Sequence, residues 1–439
     1  MQALARDQCT EVAPPLRPLD TSSNVQFKFE PSSIHQTDLS QLYMNIAISL
    51  VKADGTTPVE HRKNLTDEHY LNPDTINFKE TTDTNPGAEG ADSALSCSNN
   101  LLHSIFDECE LKLKGRPVER VNDYGYVAYV QNLLGWSEVA KKNVLPSTLG
   151  WIDDDADLFD SANNTAFEKR VRHLLLNGRT LYLKGKLSLG CSEMEQPLPT
   201  HLPIEIELRR KNADFVLIDT KQTRAAAPTY KIKIHDINLE VKRLGLTPAE
   251  LRVQEEQLKK GIPYTFYKTE CRSYVASSGH PEFNVTDLES GPLPDRIMMA
   301  MVDNAAYHGD WSKNPFRFQT YDCSAAWITV NGSDKIPSPV GYTWDRSNSR
   351  TLDGYLELYQ GGNFHALKMK DYLGGSFLLT FDLRKHLSGS NSALENGTVS
   401  AHLRFDKALP HTMTLLAFII RPCQFIMDQH RNVTLNYTP

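Results

Sequence analysis

Residues 295–332 read DRIMMAMVDNAAYHGDWSKNPFRFQTYDCSAAWITVNG, and this stretch decides the fold. The six apolar residues Ile297–Val302 predict a strand that is buried on both faces. Turn-forming residues follow up to Asn314-Pro315 and predict a polar loop. A second strand is predicted over Phe316–Val330, with a turn at Asn331-Gly332. The stretch contains no catalytic pattern, so we interpret it as part of a β-sheet framework.

Length and composition describe a globular protein with more than one core. The chain has 439 residues, of which 40% are apolar and 23% are charged. A chain of this length exceeds one ordinary core, so we expect about two or three domains. The formal net charge is -7. An acidic chain without a long run of Lys or Arg is not expected to bind nucleic acid strongly.

The N-terminus and the cysteines indicate a protein with reduced thiols. The N-terminal sequence MQALARDQCTEVAPPLRPLD lacks the apolar core of a signal peptide, and no apolar window is long enough for a membrane span. The seven cysteines are dispersed and form no CxxC pair, which favours a cytosolic or nuclear compartment. Glycosylation sequons such as Asn64, Asn284 and Asn331 are therefore interpreted as chance matches.

The first half of the chain has the alternating pattern of short strands. The Pro-rich residues 1–23 predict an extended arm outside the core. Strands are predicted at 25–29, 42–51, 101–114, 181–189, 204–208 and 230–241. The alternation slips by one residue at His235-Asp236, which predicts a β-bulge. Residues 124–134 have the spacing of an amphipathic helix that stops at Gly135.

A helix separates this half from a second strand-rich half. Thr247-Pro248-Ala249-Glu250 is a capping box with proline at the first helical position, and Lys259-Lys260-Gly261 closes the helix. Strands are predicted after it at 264–275, 297–302, 316–330, 377–383, 399–405 and 413–420. The predicted organisation is an arm at 1–23, a first jelly roll at 24–246, a linker helix at 247–261 and a second jelly roll at 262–439.

A weak internal duplication supports the division into two halves. Strand and turn ELKLKG (110–115) precede the helical sequence YGYVAYVQNLL (124–134) in the first half. Strand and turn AWITVNG (326–332) precede DGYLELYQ (353–360) in the second. Repetition of one strand–turn–helix unit predicts two copies of one architecture. The fold class is therefore mostly all-β, with two tandem antiparallel jelly-roll sandwiches and a few short helices.

The strongest candidate for a metal site is the acidic loop 153–160, DDDADLFD. Asp153, Asp155 and Asp157 have the spacing of the first ligands of an EF-hand, but Leu158 replaces the required glycine and Asn164 the bidentate glutamate. We therefore predict a solvated turn and no metal ligand. Gly374-Gly375-Ser376 resembles a nucleophile elbow only superficially, because a strand and not a helix follows it.

Two alternatives to a purely structural protein remain open from the residues alone. A tandem jelly-roll glycoside hydrolase would use paired carboxylates such as Glu205 and Glu207 about 5–10 Å apart. A glycan-binding protein would use aromatic platforms, for which the candidates are Trp136, Trp151, Trp311, Trp327 and Trp344. His235 is a candidate base but fits a hydrogen-bonded sheet residue better. No catalytic, cofactor-binding or metal-binding residue is predicted, and the chain is expected not to be an enzyme.

Residues 293–332 resemble the second jelly roll of major capsid proteins from Polinton/Maverick elements and related adintoviruses. The shared features are Leu293-Pro294, Arg296, the apolar strand ending in Val302-Asp303-Asn304, Gly309, Lys313–Phe316 and Val330-Asn331-Gly332. Residues 101–118, 184–218 and 230–248 resemble further blocks of that family, in the same order. The sequence departs from the family before Gly115, where asparagine is missing, and in SLGCSEMEQ (188–196), which puts loop detail in doubt.

The resemblance implies a double jelly-roll protein that forms pseudo-hexagonal homotrimers and tiles an icosahedral shell around double-stranded DNA. Implied partners are neighbouring capsomers and the penton and minor capsid proteins of the same element, with no strong grip on the DNA. The implied location is the virion, assembled in the cytoplasm or nucleus of a host cell. Residues 54–100 are expected to be a loop near a capsomer surface, and the arm 1–23 to lock neighbours together.

Overall fold

A computed structural model describes residues 8–19, 23–75, 87–219, 230–332, 334–337, 341–343, 352–360, 367–386 and 396–436. In the first half the strands are β1 (Gln8–Ala13), β2 (Asn24–Phe29), β3 (His35–Lys52), β4 (Leu95–Cys97), β5 (Phe106–Leu113), β6 (Arg116–Asn122), β7 (Leu181–Lys186), β8 (Ile204–Arg210), β9 (Leu217–Asp219) and β10 (Tyr230–Gly245). In the second half they are β11 (Ile262–Ala276), β12 (Glu282–Pro292), β13 (Arg296–Asp303), β14 (Cys323–Val330), β15 (Asp334–Ile336), β16 (Tyr342–Thr343), β17 (Leu378–Asp382), β18 (Asn396–Phe405), β19 (Met413–Met427) and β20 (Val433–Asn436).

The helices are short and lie in the connections between strands. They are α1 (Asp67–Leu71), α2 (Leu101–Ser104), α3 (Tyr124–Gly135), α4 (Glu138–Asn143), α5 (Leu145–Leu149), α6 (Thr165–Arg170), α7 (Ala213–Val216), α8 (Pro248–Lys260), α9 (Asn304–His308), α10 (Leu352–Gln360), α11 (Met369–Leu373) and α12 (Leu383–His386). In the described part of the chain, no helix combines the length and apolar character needed to span a bilayer.

Two four-stranded antiparallel layers form the sandwich of the first half. Their strand orders are β1-β10-β3-β7 and β2-β8-β5-β6. The second half repeats this as β11-β19-β13-β17 and β12-β18-β14-β15, with β20 and β16 added at the side. Among the eight strands that form the two layers of each half, the first therefore pairs with the last and the second with the last but one; β4, β9, β16 and β20 lie outside these eight. This is the Greek-key pairing of a jelly roll, and it confirms the predicted fold class.

The predicted duplication corresponds to the same position in each roll. β5 and β14 occupy the same place in the strand orders β2-β8-β5-β6 and β12-β18-β14-β15. A short connection leads from β5 to its partner β6, and from β14 to its partner β15. α3 follows the first of these pairs and α10 the second. The tyrosine-containing helix of each half therefore lies in an equivalent connection, between β6 and β7 in the first roll and between β16 and β17 in the second.

Several local predictions are confirmed. α3 covers the predicted residues and ends at Gly135. The pairing of β10 with β3 shifts between Ile234 and Asp236, which is the predicted bulge at His235. In α8, Thr247 and Glu250 form the reciprocal capping box. Among the described residues, every strand pairing joins strands on the same side of α8. That pattern supports a domain boundary at 247–261, which remains a proposal.

Three predictions require correction. Residues 1–23 are not only an arm, because β1 pairs with β10 along six residues and buries Ala13, so the first roll begins before residue 24. Residues 101–104 form a buried helix ahead of β5 rather than the start of a strand. Residues 316–322 are not strand: Phe316 and Phe318 are buried by side-chain packing in a loop, and β14 starts only at Cys323. Apolar alternation there indicates burial, and the segment has only one isolated β-bridge, between Phe318 and Ser376, among the described residues.

The residues 54–100 are not one structureless loop. They contain α1 and β4, and β4 pairs with β9 to form a separate two-stranded sheet. Residues 76–86 of this segment lie outside the described residues.

All seven cysteines are free thiols, and only Cys9 is exposed.

Candidate functional site: the joint between the two rolls

The predicted loop at Asn314-Pro315 belongs to the second roll and forms hydrogen bonds with the acidic loop of the first roll. The backbone N–H of Asn314 donates to Asp160 Oδ1 (2.7 Å), and its side-chain Nδ2 donates to Asp154 Oδ2 (3.2 Å). Its Oδ1 accepts from the backbone N–H of Phe316 (3.0 Å), which fixes the bend of its own loop. Asn314 is buried. One asparagine of the second roll thus satisfies two carboxylates of the first.

A buried ion pair holds the receiving side of this joint. Asp154 and Arg170 approach to 2.9 Å, and both side chains are 0% exposed. Asn164 Nδ2 also donates to Asp154 Oδ1 (2.9 Å), and Arg170 donates to the carbonyl of Cys97 (3.1 Å). A buried ion pair is tolerated when hydrogen bonds satisfy the remaining polar atoms. Burial works to lower the pKa of Arg170, but the adjacent Asp154 carboxylate outweighs it and raises that pKa.

Aromatic rings fill the joint beside these polar contacts. The Phe316 ring stacks on Tyr129 with centroids 4.2 Å apart and planes 8° apart. Tyr129 stacks in turn on Trp151 (5.0 Å, 22°). Tyr126, one turn earlier on α3, meets Phe316 edge-on at 5.5 Å. Such pairs add about 0.5–1.5 kcal/mol each beyond area burial, so the stack favours a rigid joint.

The acidic loop is part of the joint. Asp153 accepts from Trp151 Nε1 (2.8 Å), and Asp155 accepts from the backbone N–H of Thr165 (2.7 Å). Asp160 forms an ion pair with the guanidinium of Arg317 at 2.5 Å. It also accepts the hydrogen bond from the Asn314 N–H. Within the described ranges no group of three His, Cys, Asp or Glu side chains is arranged to hold a metal ion. The carboxylates of this loop mainly accept protein hydrogen bonds.

The paired carboxylates proposed for a hydrolase do not form a cleft. Glu205 and Glu207 lie on the polar face of β8, and Glu207 accepts from Asn24 (2.8 Å) and Lys112 (3.3 Å). Burial raises the pKa of Glu207, but hydrogen bonds from Gln26, Lys112 and Asn24 outweigh it and lower that pKa. The general acid of a glycosidase needs a raised pKa, not a lowered one. The geometry does not favour that chemistry.

The other candidate residues have structural roles. His235 is exposed at the bulge and shares a hydrogen bond with Ser49 (2.8 Å). Gly375 has φ +145° and its carbonyl accepts from the Phe318 N–H (2.7 Å), so Gly374-Gly375-Ser376 is a turn that also borders the joint. A left-handed φ of this kind favours glycine.

The tryptophans do not form a glycan platform. Trp151 and Trp311 are buried, whereas Trp136 is 42% exposed. Trp327 is covered by His402, stacked at 5.2 Å, and by Lys335, whose Nζ lies 4.6 Å from the ring centroid. Trp344 lies outside the described residues. No open aromatic surface is shared by the four that are described.

Sequence reasoning found the two sides of the joint but did not bring them together. The acidic loop and the Asn-Pro-Phe loop were each recognised as unusual, yet they lie about 150 positions apart in the chain, with Asn314 bonding Asp160 at a separation of 154. Arg170 and Asn164 were missed as functional residues. The one available signal was the excess of carboxylates at 153–160, which required cationic or amide partners somewhere in the fold.

Comparisons with known proteins identify the architecture. No protein-family model matches the chain, and no curated protein matches it in sequence. A chain of the Sputnik virophage structure superposes with a TM-score of 0.65 at 10% identity, covering 98% of this chain and 88% of that one. The PBCV-1 virus capsid gives 0.57 at 9% identity, with 100% and 99% covered. The mavirus major capsid protein gives 0.51 at 10% identity, with 98% and 91% covered.

These similarities define a class of fold. The chain has the double jelly-roll fold of viral major capsid proteins, over essentially its whole length. The structures similar to it include the PBCV-1 virus capsid and the major capsid proteins of mavirus and Faustovirus. At about 10% identity, they establish the fold and leave the function to be argued from the molecule.

Proposed function

We propose that this chain is a major capsid protein. It forms pseudo-hexagonal homotrimers that assemble the icosahedral shell of a double-stranded DNA virus or of a virus-like transposon of the Polinton/Maverick type. The observation that supports the proposal is the similarity to the Sputnik virophage structure and to the mavirus major capsid protein, each of which covers 98% of this chain.

The joint supports this function physically. A trimer of two-roll subunits presents six similar rolls around its axis, so it approximates a hexagon only if the two rolls keep a fixed relation. The buried Asp154–Arg170 pair, the Asn314 amide and the Phe316–Tyr129 stack supply that fixed relation. A heterologous contact repeated around a threefold axis closes a ring. A shell protein needs shape and rigidity more than chemistry, which agrees with the absence of a hydrolase-like carboxylate pair at Glu205 and Glu207.

The assignment to the Polinton/Maverick group rests on the sequence blocks. The apolar strand with Asp303-Asn304, the Lys313–Phe316 segment and the Val330-Asn331-Gly332 turn follow that family's pattern. Asp303 caps α9 through the N–H of Ala305 (2.8 Å), and Asn314 fixes the joint. The residues that carry the resemblance thus have defined structural roles, which explains why a family would share them.

The proposed partners and location follow from the same role. The chain binds copies of itself, then neighbouring capsomers, penton and minor capsid proteins, and it resides in the virion after assembly in the host cytoplasm or nucleus. Its net charge of -7 suits a shell that encloses DNA without gripping it. We propose that the chain is not an enzyme, and no observation favours a glycan-binding protein or a glycoside hydrolase.

The test is the assembly state of the purified chain. Size-exclusion chromatography with light scattering should give three times the chain mass of 49.5 kDa. Negative-stain images should show hexagonal capsomers, and shells when the capsomers are concentrated. A stable monomer that forms neither trimers nor particles would refute the proposal, as would hydrolysis of a glycan that is abolished by Glu207→Gln.

A further inference from the structure

Glu119 lies in a second contact between the rolls. On β6, Glu119 lies opposite Leu111 and alternates in phase with Val121, so its side chain points inward, where it is 1% exposed. Its Oε1 accepts from the backbone N–H of Gly190 (2.7 Å), and its Oε2 accepts from that of Cys191 (2.8 Å). The carboxyl group therefore bridges β6 to the turn at residues 190–193.

The second roll closes directly over this bridge. A Cβ atom on Gly190 would lie 2.0 Å from the carbonyl oxygen of Tyr267 in β11, so the two backbones are in contact. The next residue, Lys268, is the cation whose charge acts on Glu119, but it also pairs with Glu270 at 2.7 Å. Lys268 is thus shared between Glu119 and Glu270, another carboxylate of the second roll.

The surroundings of Glu119 are otherwise uncharged near neutral pH. Besides Lys268 from β11, the titratable groups that interact with it are the thiols and phenol of Cys191, Cys109, Cys423 and Tyr124. Burial raises the pKa of each of these four groups, so they stay neutral. Cys191 belongs to the first roll and Cys423 to the second, and both face this contact. An ionised Glu119 is therefore surrounded mainly by groups that do not compensate its charge.

We propose that Glu119 is a proton-responsive latch between the two rolls. Its protonated carboxyl keeps the contact between β6, the turn at 190–193 and β11 closed, and ionisation of the carboxyl loosens this contact because opening readmits water to the charge. The latch is a property of the single chain and holds whether or not the chain builds a shell.

The direction of the response follows from the burial of the group. Burial raises the pKa of Glu119 above its ordinary value of 4.5, although the Cys191 and Gly190 N–H groups and Lys268 oppose the shift. The closed contact therefore binds a proton at a pH where an open, hydrated Glu119 has already lost it. The closed contact is most stable at acidic pH, and its stability falls as the pH rises from the ordinary pKa of Glu119 to its raised pKa. Above the raised pKa the closed contact loses no further stability.

Thiol labelling reports the state of the latch directly. The purified protein is treated briefly with 4,4′-dithiodipyridine at pH 5, 6, 7 and 8, and labelled cysteines are quantified by mass spectrometry. Cys191 and Cys423 report the contact, while Cys323, buried in β14, corrects for the pH dependence of the reagent and of global unfolding. The corrected labelling should rise at least about threefold from pH 5 to pH 8, because local opening exposes buried groups.

Variants separate the latch from a merely structural contact. Glu119→Gln removes the titration, so its labelling should not change with pH, whereas the solvent-facing Glu205→Gln should behave like the wild type. Lys268→Met removes the compensating cation, so the rise should extend to higher pH and reach a higher final level than in the wild type. Constant labelling in the wild type would overturn the proposal, as would an unchanged rise in Glu119→Gln. If Glu119→Gln does not fold, the absence of an upward shift in Lys268→Met overturns it. None of these readouts depends on trimer or shell formation.

Discussion

Asn314 Nδ2 donates a hydrogen bond to Asp154 Oδ2 across 3.2 Å, and this bond joins a loop of the second roll to the acidic loop of the first. Asp154 is already bound to Arg170 within the first roll. The bond therefore extends a buried ion pair into the neighbouring roll. The Asn314 amide is therefore one of the contacts that fix the relative position of the rolls, beside the Phe316–Tyr129 stack and the Asp160–Arg317 ion pair.

Asn314→Ala should weaken the joint. The substitution removes one donor to Asp154 and the acceptor for the Phe316 N–H, leaving buried polar groups without these partners. We expect a loss of about 1–3 kcal/mol in the free energy of unfolding, measured by urea denaturation. The matched control is Asn163→Ala, at an exposed asparagine three residues after the acidic loop, which should change stability by less than about 0.5 kcal/mol. Equal effects of the two substitutions would contradict the role of Asn314.

Much of the fold could be predicted because its signals are local. Alternation located most strands, and the phase slip at His235 located a bulge that the strand pairing confirms. The capping box at Thr247 located α8 because its two hydrogen bonds join residues only three positions apart. Local hydrogen bonds and side-chain periodicity leave a direct imprint on the sequence.

The errors occurred where tertiary contacts override a local pattern. β1 was assigned to an arm because its sequence, QCTEVA, has little apolar alternation and precedes a Pro-rich segment. It is a strand because β10 offers a pairing edge and Arg243 binds Glu11. Phe316 and Phe318 alternate like strand residues, but they are buried against Tyr129 and its neighbours from the other roll. The joint itself was not predictable, since its two sides are distant in sequence and no local signal pairs them.

Gly190→Ala should disturb the contact between the rolls. The added methyl group would lie 2.0 Å from the backbone oxygen of Tyr267, and a backbone cannot move aside as a side-chain tip can. Overpacking of this kind costs about 1–3 kcal/mol, and a thermal unfolding scan should show a lower melting temperature. Gly135→Ala is the control, because no atom lies within 4 Å of its Cβ position and alanine suits a helix end. A Gly190→Ala variant as stable as Gly135→Ala would refute the close contact.

The stability of the chain should fall on acidification through its buried histidines. Burial lowers the pKa of His103 to about 3. The Nδ1 atom of this buried ring shares a 2.9 Å hydrogen bond with the Tyr124 hydroxyl. The unfolded chain binds a proton below about pH 6.5, but the folded chain does not until about 3, so stability falls between these values. Burial lowers the pKa of His61 to about 4, and this adds to the effect.

Substitution of His103 provides the measurement. In His103→Gln, the free energy of unfolding should fall less steeply from pH 6.5 to pH 5 than in the wild type, because one titrating group is removed. His280→Gln, at an exposed position, should keep the wild-type slope. Urea denaturation at each pH gives the slopes. An identical slope in His103→Gln and in the wild type would show that this histidine does not titrate on unfolding.

Glu11→Gln should loosen β1, the strand that the sequence pattern missed. The Arg243 guanidinium is buried and binds Glu11 at 2.5 Å and the Glu30 carbonyl at 2.7 Å, so it ties β1 to the end of β2. Loss of this charge-assisted bond should cost about 1.5–3 kcal/mol. Hydrogen exchange should then rise in residues 8–13 ahead of the rest of the sheet. Glu30→Gln, whose exposed side chain pairs only with Lys28 among the described ion pairs, should leave exchange unchanged. Faster exchange spread evenly over both rolls would contradict a local tether.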